Sequence, residues 1–183
     1  MRIIRGKYKT RRYKIPKNFP SRPTTDFAKE GLFNILENQL YLENLNRLDL
    51  CSGTGNISVE FLSREAGILT SVDQNYNCVK HLSKIVKELG CEKEITIIKS
   101  DIIKFLDRCS STFDIIFADP PYAYQEHKKI LETILERHLL KENGILIIEH
   151  GKETDLSSIT QFEFLRKYGN VCFSFFKIKP ELR

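Results

Sequence analysis

The sequence predicts an α/β fold: a doubly wound, mostly parallel, seven-stranded Rossmann-like sheet whose last strand is antiparallel, preceded by a small basic β-hairpin arm. Three observations predict it. Strand-like and helix-like segments alternate at βα-unit spacing from residue 26 onward. Acidic residues stand at the C-terminal ends of successive strands, the edge where open α/β sheets bind ligands. Residues 1–25 hold nine Lys or Arg and no Asp or Glu, so the arm differs in charge from the rest.

Taken in order, Ile3-Ile4 and Tyr13-Lys14-Ile15 have strand character and form the arm. Asp26 is expected to cap an amphipathic helix with Phe27, Leu32, Phe33, Leu36 and Leu40 on its apolar face. Strands are expected over 45–51, 68–73, 94–99, 113–118 and 144–149, because each is a short apolar or β-branched run bounded by turn residues. Between them, helical spacing covers 56–66, 76–89 (ended by Gly90), 101–108 and 126–139. A weaker helix is expected over 155–159. Strands 162–166 and 171–177 follow, separated by Tyr168-Gly169-Asn170, and this hairpin turns the last strand antiparallel.

Composition narrows the function classes. The chain has 183 residues, enough for one domain with an appendage, and 41% hydrophobic against 29% charged residues suits a soluble globular protein. No apolar run approaches the ~20 residues of a membrane helix, and the N-terminus lacks the apolar core of a signal peptide. Five cysteines without C-x-x-C spacing and four scattered histidines imply a reduced, cytoplasmic protein with no metal site.

Asp119-Pro120-Pro121-Tyr122 follows the buried run 113–118 without a linker. Proline cannot extend a ladder, and it forces the preceding residue into extended geometry, so the backbone becomes a stiff hook at the ligand-binding edge. Asp119 and a backbone carbonyl of the hook suit the two N–H groups of an exocyclic amine, and Tyr122 suits stacking on the ring face. The alternative is an ordinary strand-to-loop turn.

In the first βα turn, Asp49 precedes Cys51-Ser52-Gly53-Thr54-Gly55, where two glycines permit a tight turn and close ligand approach beside a helix N-terminus. Ser58 replaces the third glycine of the dinucleotide fingerprint, and Asp49 would repel a pyrophosphate. The loop therefore suits a cationic ligand such as S-adenosylmethionine. Asp73 ends the second strand about 20 residues after the loop, where a carboxylate can accept from both ribose hydroxyls. Asp101 ends the third strand, where it can accept from an adenine amine while Ile102 packs on the ring. Asp73 and Asp101 also read as helix N-caps.

The arm carries Arg2, Arg5, Lys7, Lys9, Arg11, Arg12, Lys14, Lys17 and Arg22, interleaved with Tyr8, Tyr13 and Phe19. Cations that neutralise phosphates, beside aromatics that stack on bases, form a nucleic-acid footprint. A solubilising tail is the alternative.

Together the glycine loop, the acidic strand ends and Asp-Pro-Pro-Tyr resemble class I S-adenosylmethionine-dependent amino-methyltransferases. The stretch Arg2 to Arg12, Arg22-Pro23-Thr24-Thr25-Asp26, Leu32 to Leu36, Leu48 to Gly55 and Glu60 to Arg64 are similar to the RsmD family of bacterial 16S rRNA guanine-N2 methyltransferases, and the resemblance runs from Arg2 to about Glu149. Arg5 and Thr10 depart from it, standing where the family usually has glycines. The resemblance implies an arm (1–25) that binds RNA through Arg2, Arg5, Lys7, Lys9, Arg11, Arg12 and Arg22, and a methyltransferase domain (26–183). It implies a monomeric enzyme acting on ribosomal RNA or a small-subunit assembly particle. Asp49, Gly53 and Gly55 would line the methionine part of the cofactor, Asp73 the ribose, and Asp101 and Ile102 the adenine. Arg22, Thr24 and Thr25 would cover the cofactor, and Asp119, Pro120, Pro121 and Tyr122 would form the amine pocket.

Three rivals share some of these features. A protein glutamine methyltransferase uses a related Pro-Pro-Tyr pocket with Asn in front, and Asp119 and the basic arm argue against it. A DNA adenine or cytosine amino-methyltransferase shares the core but usually carries a large target-recognition insertion. A non-catalytic RNA-binding module has no use for four acidic strand ends.

Overall fold

The computed structural model describes residues 1–64, 67–121 and 127–178. Seven strands form one sheet: β1 (Arg47–Leu50), β2 (Leu69–Asp73), β3 (Ile95–Lys99), β4 (Phe113–Ala118), β5 (Leu140–His150), β6 (Phe162–Tyr168) and β7 (Val171–Lys177). Their order is β3-β2-β1-β4-β5-β7-β6, with β7 antiparallel to both of its neighbours and the first five strands parallel. The order reverses between β1 and β4, which opens a crevice at the C-terminal edge of the sheet.

Helices cover both faces. On one side, α1 (Asp26–Gln39), α2 (Asn56–Ser63) and α3 (Tyr76–Leu89) pack Leu32, Phe33, Phe61, Leu82 and Ile85 on Ile115, Phe117, Ile145, Ile147 and Phe173. On the other, α4 (Ile102–Arg108) and α5 (His127–Glu136) pack Leu106, Ile130 and Ile134 on Leu48, Leu50, Ile116, Leu146 and Ile148. Burial on both faces explains why β4 and β5 read as continuous apolar runs rather than alternating ones.

The structure differs from the sequence reading at several boundaries. Thr25, not Asp26, caps α1: its hydroxyl accepts from Ala28 N–H at 3.2 Å, and Asp26 occupies the first turn. Phe27 is 70% exposed rather than part of the apolar face, and its ring meets Tyr168 edge-on at 5.4 Å. No helix forms over 155–159. Instead Asp155 Oδ1 accepts from Ser157 N–H at 2.9 Å, a local turn that competes with helix, while Leu156 is buried. β5 begins at Leu140 rather than 144, its early residues tied across by the Phe113–Leu140 pairing and a Lys141–Asp114 ion pair at 2.7 Å. Residues 65–66 and 126, expected to be helical, lie outside the described residues.

The arm is a hairpin docked on the core. Arg2 bridges Arg12 antiparallel, Ile3 N–H donates to Arg11 C=O and Thr10 N–H to Ile3 C=O, both at 3.0 Å, and the Ile3 side chain is 2% exposed. Thr10 has φ +75°, a left-handed conformation that costs a β-branched residue strain, which gives a physical reason for a glycine at this position. Gly6, with φ +89°, lets the turn touch α2: an added Cβ would lie 1.8 Å from Ser63 C=O.

Glu60, fully buried on α2, receives Ile4 N–H at 2.9 Å and Arg5 N–H at 3.0 Å. It also pairs with Lys29 at 3.1 Å and Arg64 at 2.9 Å. Arg64 pairs in turn with Glu37 and lies over the Phe33 ring at 4.6 Å. Replacing Glu60 with Ala takes the carboxylate from buried Lys29, one of two carboxylates from Arg64, and the acceptors from two arm N–H groups. Glu60→Ala should destabilise the protein by about 3–5 kcal/mol in urea unfolding. A paired Lys29→Met/Glu60→Leu change should lose less, since it removes the buried Lys29 along with its partner and Arg64 keeps Glu37.

Candidate active site

A cavity of about 880 Å³ opens at the C-terminal edge, over the crevice between β1 and β4. β1 delivers Asp49 and β2 Asp73; Asp101 comes two residues after β3 and Asp119 directly after β4, and all four line this one cavity. Among the other predicted residues, Gly53, Ile102, Arg22, Thr24, Thr25, Pro120 and Pro121 also line it. Gly55, predicted to line the methionine part of the cofactor, is not among the residues that line it. Tyr122 lies outside the described residues.

The glycine loop needs its glycines. Gly53 and Gly55 have φ +53° and +76°, and added Cβ atoms would lie 2.7 Å from Ser21 Oγ and from Leu82 Cδ1 respectively. Gly55 N–H closes the turn on Ser52 C=O at 2.7 Å, and Gly53 N–H donates to Asp73 Oδ2 at 2.8 Å. Asp73 Oδ1 accepts from Asn75 N–H at 2.7 Å, so this carboxylate braces the loop as well as facing the cavity. Asp101 combines both roles read from its position: it caps α4 through Lys104 N–H at 3.1 Å and lines the cavity.

Ser58, where a dinucleotide fingerprint would place glycine, donates its hydroxyl to Asp49 Oδ2, with Ser71 Oγ 3.0 Å away. Asp49 Oδ1 is buried without a protein partner. Burial pushes the Asp49 pKa up to about 7, aided by nearby Asp73 and Glu149 and opposed by the Ser58 bond.

Sequence reasoning gave no site role to Glu149, Asn56 or Lys29. Glu149 follows Ile148, which pairs with Ala118, so it stands beside Asp119 on the neighbouring strand, at a Cα spacing of about 5 Å. Thr24 donates to Glu149 Oε2 at 3.0 Å. Burial pushes Glu149 up to about 7, and burial together with Glu149, Asp49 and Asp73 raises Asp119 well above the usual carboxylate range. Asn56 holds the wall opposite: its Nδ2 donates to Thr24 C=O at 2.7 Å, and its Oδ1 accepts from Lys29 Nζ at 2.8 Å. A signal for Glu149 was present, since it is a charged residue ending an otherwise apolar strand.

The predicted RNA-contacting residues divide between two places. At the hairpin tip Arg5 pairs with Glu37 at 2.7 Å and Lys7 with Glu94 at 2.8 Å, the latter next to the N-terminal end of β3 and so at the edge of the sheet opposite the cavity. At the base Arg2 pairs with Asp26 at 3.0 Å, and Arg12 and Lys14 line a second cavity of about 800 Å³. The two cavities share Pro23, Thr24 and Thr25 as a common wall. Lys9, Arg11, Arg12 and Arg22 are exposed.

The buried carboxylates set a pH dependence. Asp49 and Glu149 titrate near 7 when folded, against ordinary values of 3.8 and 4.5. Between those limits the folded state binds more protons, so their contribution to stability is full at low pH and is lost as pH rises through about 7. The ligand-free protein should lose several degrees of melting temperature between about pH 5 and pH 8, and Asp49→Asn and Glu149→Gln should each flatten that loss in thermal scans.

Comparison with known proteins gives the family. The family described as Conserved hypothetical protein 95 matches residues 1–177. The ribosomal RNA small subunit methyltransferase D of Buchnera aphidicola subsp. Baizongia pistaciae is 32% identical over 149 residues, covering 81% of this chain and 75% of its own. The Escherichia coli protein yhhF superposes with TM-score 0.84 at 24% identity over 96% of both chains, a likeness of fold. The protein SMU.776, described as a methyltransferase and solved in complex with SAH, superposes with TM-score 0.67 at 19% identity over 82% of this chain and 49% of its own, again a likeness of fold. With the match spanning the arm, the glycine loop and the Asp-Pro-Pro hook alike, the chain belongs to the Conserved hypothetical protein 95 family, the RsmD family of methyltransferases.

Proposed function

We propose that this protein transfers the methyl group of S-adenosylmethionine to the exocyclic N2 amine of a guanine in small-subunit ribosomal RNA, free or within an assembly particle. One observation carries the reading. The acid-lined cavity holding Asp119-Pro120 shares the wall Pro23-Thr24-Thr25 with a cavity lined by Arg12 and Lys14. A cation fits the first and a polyanion the second, which matches a sulfonium cofactor beside an RNA strand.

The residues present fit the cofactor. The buried, partnerless Asp49 Oδ1 calls for a donor, and the Gly53 cradle is one that a side chain would fill. Asp49 and Gly53 would hold the methionine part, Asp73 the ribose, and Asp101 and Ile102 the adenine. When bound, S-adenosylmethionine supplies an electrophilic methyl group.

Guanine N2 is a poor nucleophile because its lone pair is delocalised into the ring. Asp119 Oδ and Pro120 C=O, as acceptors of its two protons, stabilise the positive charge that builds on nitrogen during attack. The rigid double proline fixes where those acceptors point, so alignment costs little at the moment of reaction. The raised pKa of Asp119 equips it to receive the proton the amine sheds afterwards. Along the second cavity, Arg12 and Lys14 supply cations for flanking phosphates. The belonging to the RsmD family and the name of the Buchnera relative support ribosomal RNA as the substrate.

Labelled S-adenosylmethionine incubated with small-subunit RNA or particles should yield labelled N2-methylguanosine on nucleoside digestion; label in a methylated adenine or cytosine, or none in RNA, overturns the reading. Asp119→Ala should slow single-turnover transfer on the order of 100-fold while cofactor affinity stays nearly constant, and Asp119→Asn should lose less. Arg12→Glu and Lys14→Glu should each weaken RNA binding and lower its log–log salt slope by about 0.7–0.9, without altering cofactor affinity by calorimetry.

A further inference from the structure

The proposed mechanism leaves one buried acid of the pocket without a task. Glu149 is 3% exposed, stands beside Asp119 at the end of the adjoining strand, and lines the same cavity. Among the described residues no ion pair involves either carboxylate. Thr24 Oγ1 donates to Glu149 Oε2, and Thr24 is itself held through Asn56 to buried Lys29. The carboxylate is therefore clamped in orientation while most of its acceptor capacity is unspent. A buried acid of this kind is costly unless a donor arrives.

The three bases with exocyclic amines differ at the ring nitrogen beside the amine. Guanine carries a proton on N1, so its Watson–Crick edge presents a row of donors, N1–H and the two N2 protons. Adenine N1 and cytosine N3 are acceptors. A pocket with Asp119 and the Pro120 carbonyl on the amine and a second carboxylate alongside complements the first pattern and repels the other two.

On the reading that the amine pocket takes a flipped base, we infer that Glu149 is the specificity residue: it accepts N1–H of guanine and excludes bases whose neighbouring ring nitrogen is an acceptor. Thr24 is the positioning residue that aims it, which ties base selection to the Arg22-Pro23-Thr24-Thr25 segment.

The probe is 2-aminopurine, which keeps an amine at position 2 but has an acceptor at N1. RNA carrying guanosine or 2-aminopurine ribonucleoside at the mapped target nucleotide is methylated in single turnover at about pH 8.5, above the value near 7 at which Glu149 titrates. The wild-type protein should prefer guanosine on the order of 100-fold or more. Glu149→Gln, whose amide can donate to N1, should cut that preference about tenfold or more, with cofactor affinity unchanged. A wild-type preference near unity overturns the inference without any variant, and an undiminished preference in Glu149→Gln overturns it as well. If guanosine RNA gains no N2-methylguanosine, the function proposed above has failed instead; if that product forms and the preference does not depend on Glu149, only this inference has.

Discussion

The buried carboxylate of Glu60 organises everything built above it. Its two oxygens receive two backbone N–H groups of the arm and two side-chain cations, Lys29 from α1 and Arg64 from the C-terminal cap of its own helix. Lys29 then donates to Asn56, Asn56 to the Thr24 carbonyl, and the Thr24 hydroxyl to Glu149 in the pocket. One polar chain thus runs from the arm, through the first residue of α2, to the wall of the cavity. Such a network is stable only when every member is satisfied, so arm docking and pocket geometry stand or fall together.

The site shows the opposite economy. Asp49, Asp119 and Glu149 are crowded into one buried crevice, with pKa values pushed upward by burial and, for Asp49 and Asp119, by neighbouring carboxylates. The fold forgoes stability near neutral pH to hold acceptors in place before a ligand arrives, the pattern of sites that meet charge with preorganised groups. A cationic ligand relieves the crowding, so binding energy and fold stability are linked at this cavity.

Much of this was legible in the sequence. The limits of 76–89, 113–118 and 171–177 match α3, β4 and β7, because Asn75 and Gly90 cap one and turn residues bound the others. The four acidic strand ends converge as their positions imply, since parallel strands present like ends to one edge. Tertiary partners were less legible. Lys29, Glu60 and Arg64 are charged residues whose burial depends on an arm more than 50 positions from Glu60, and helical periodicity assigns such residues to solvent. The helix expected over 155–159 lost to an Asp-Ser turn that offers its backbone nearer partners. Ser58 looked like a defect in a glycine motif and is instead the donor that orients Asp49.

Docking also changes what the arm's charge means. Its cations are nearly even along the sequence, but the hairpin carries its tip to the far edge of the sheet, where Arg5 and Lys7 are spent on Glu37 and Glu94. Only the base, with Arg12 and Lys14, borders the wall shared with the acidic cavity. Charges at the tip therefore hold the arm to the core, while charges at the base remain available to a polyanion. A truncation that removes the whole arm would unpair Glu60 and loosen Lys29, Asn56 and Thr24 behind it, so it would disturb the pocket as well as any RNA contact. Reversing single charges at the base separates the two roles, because Arg12 and Lys14 lie outside the buried network.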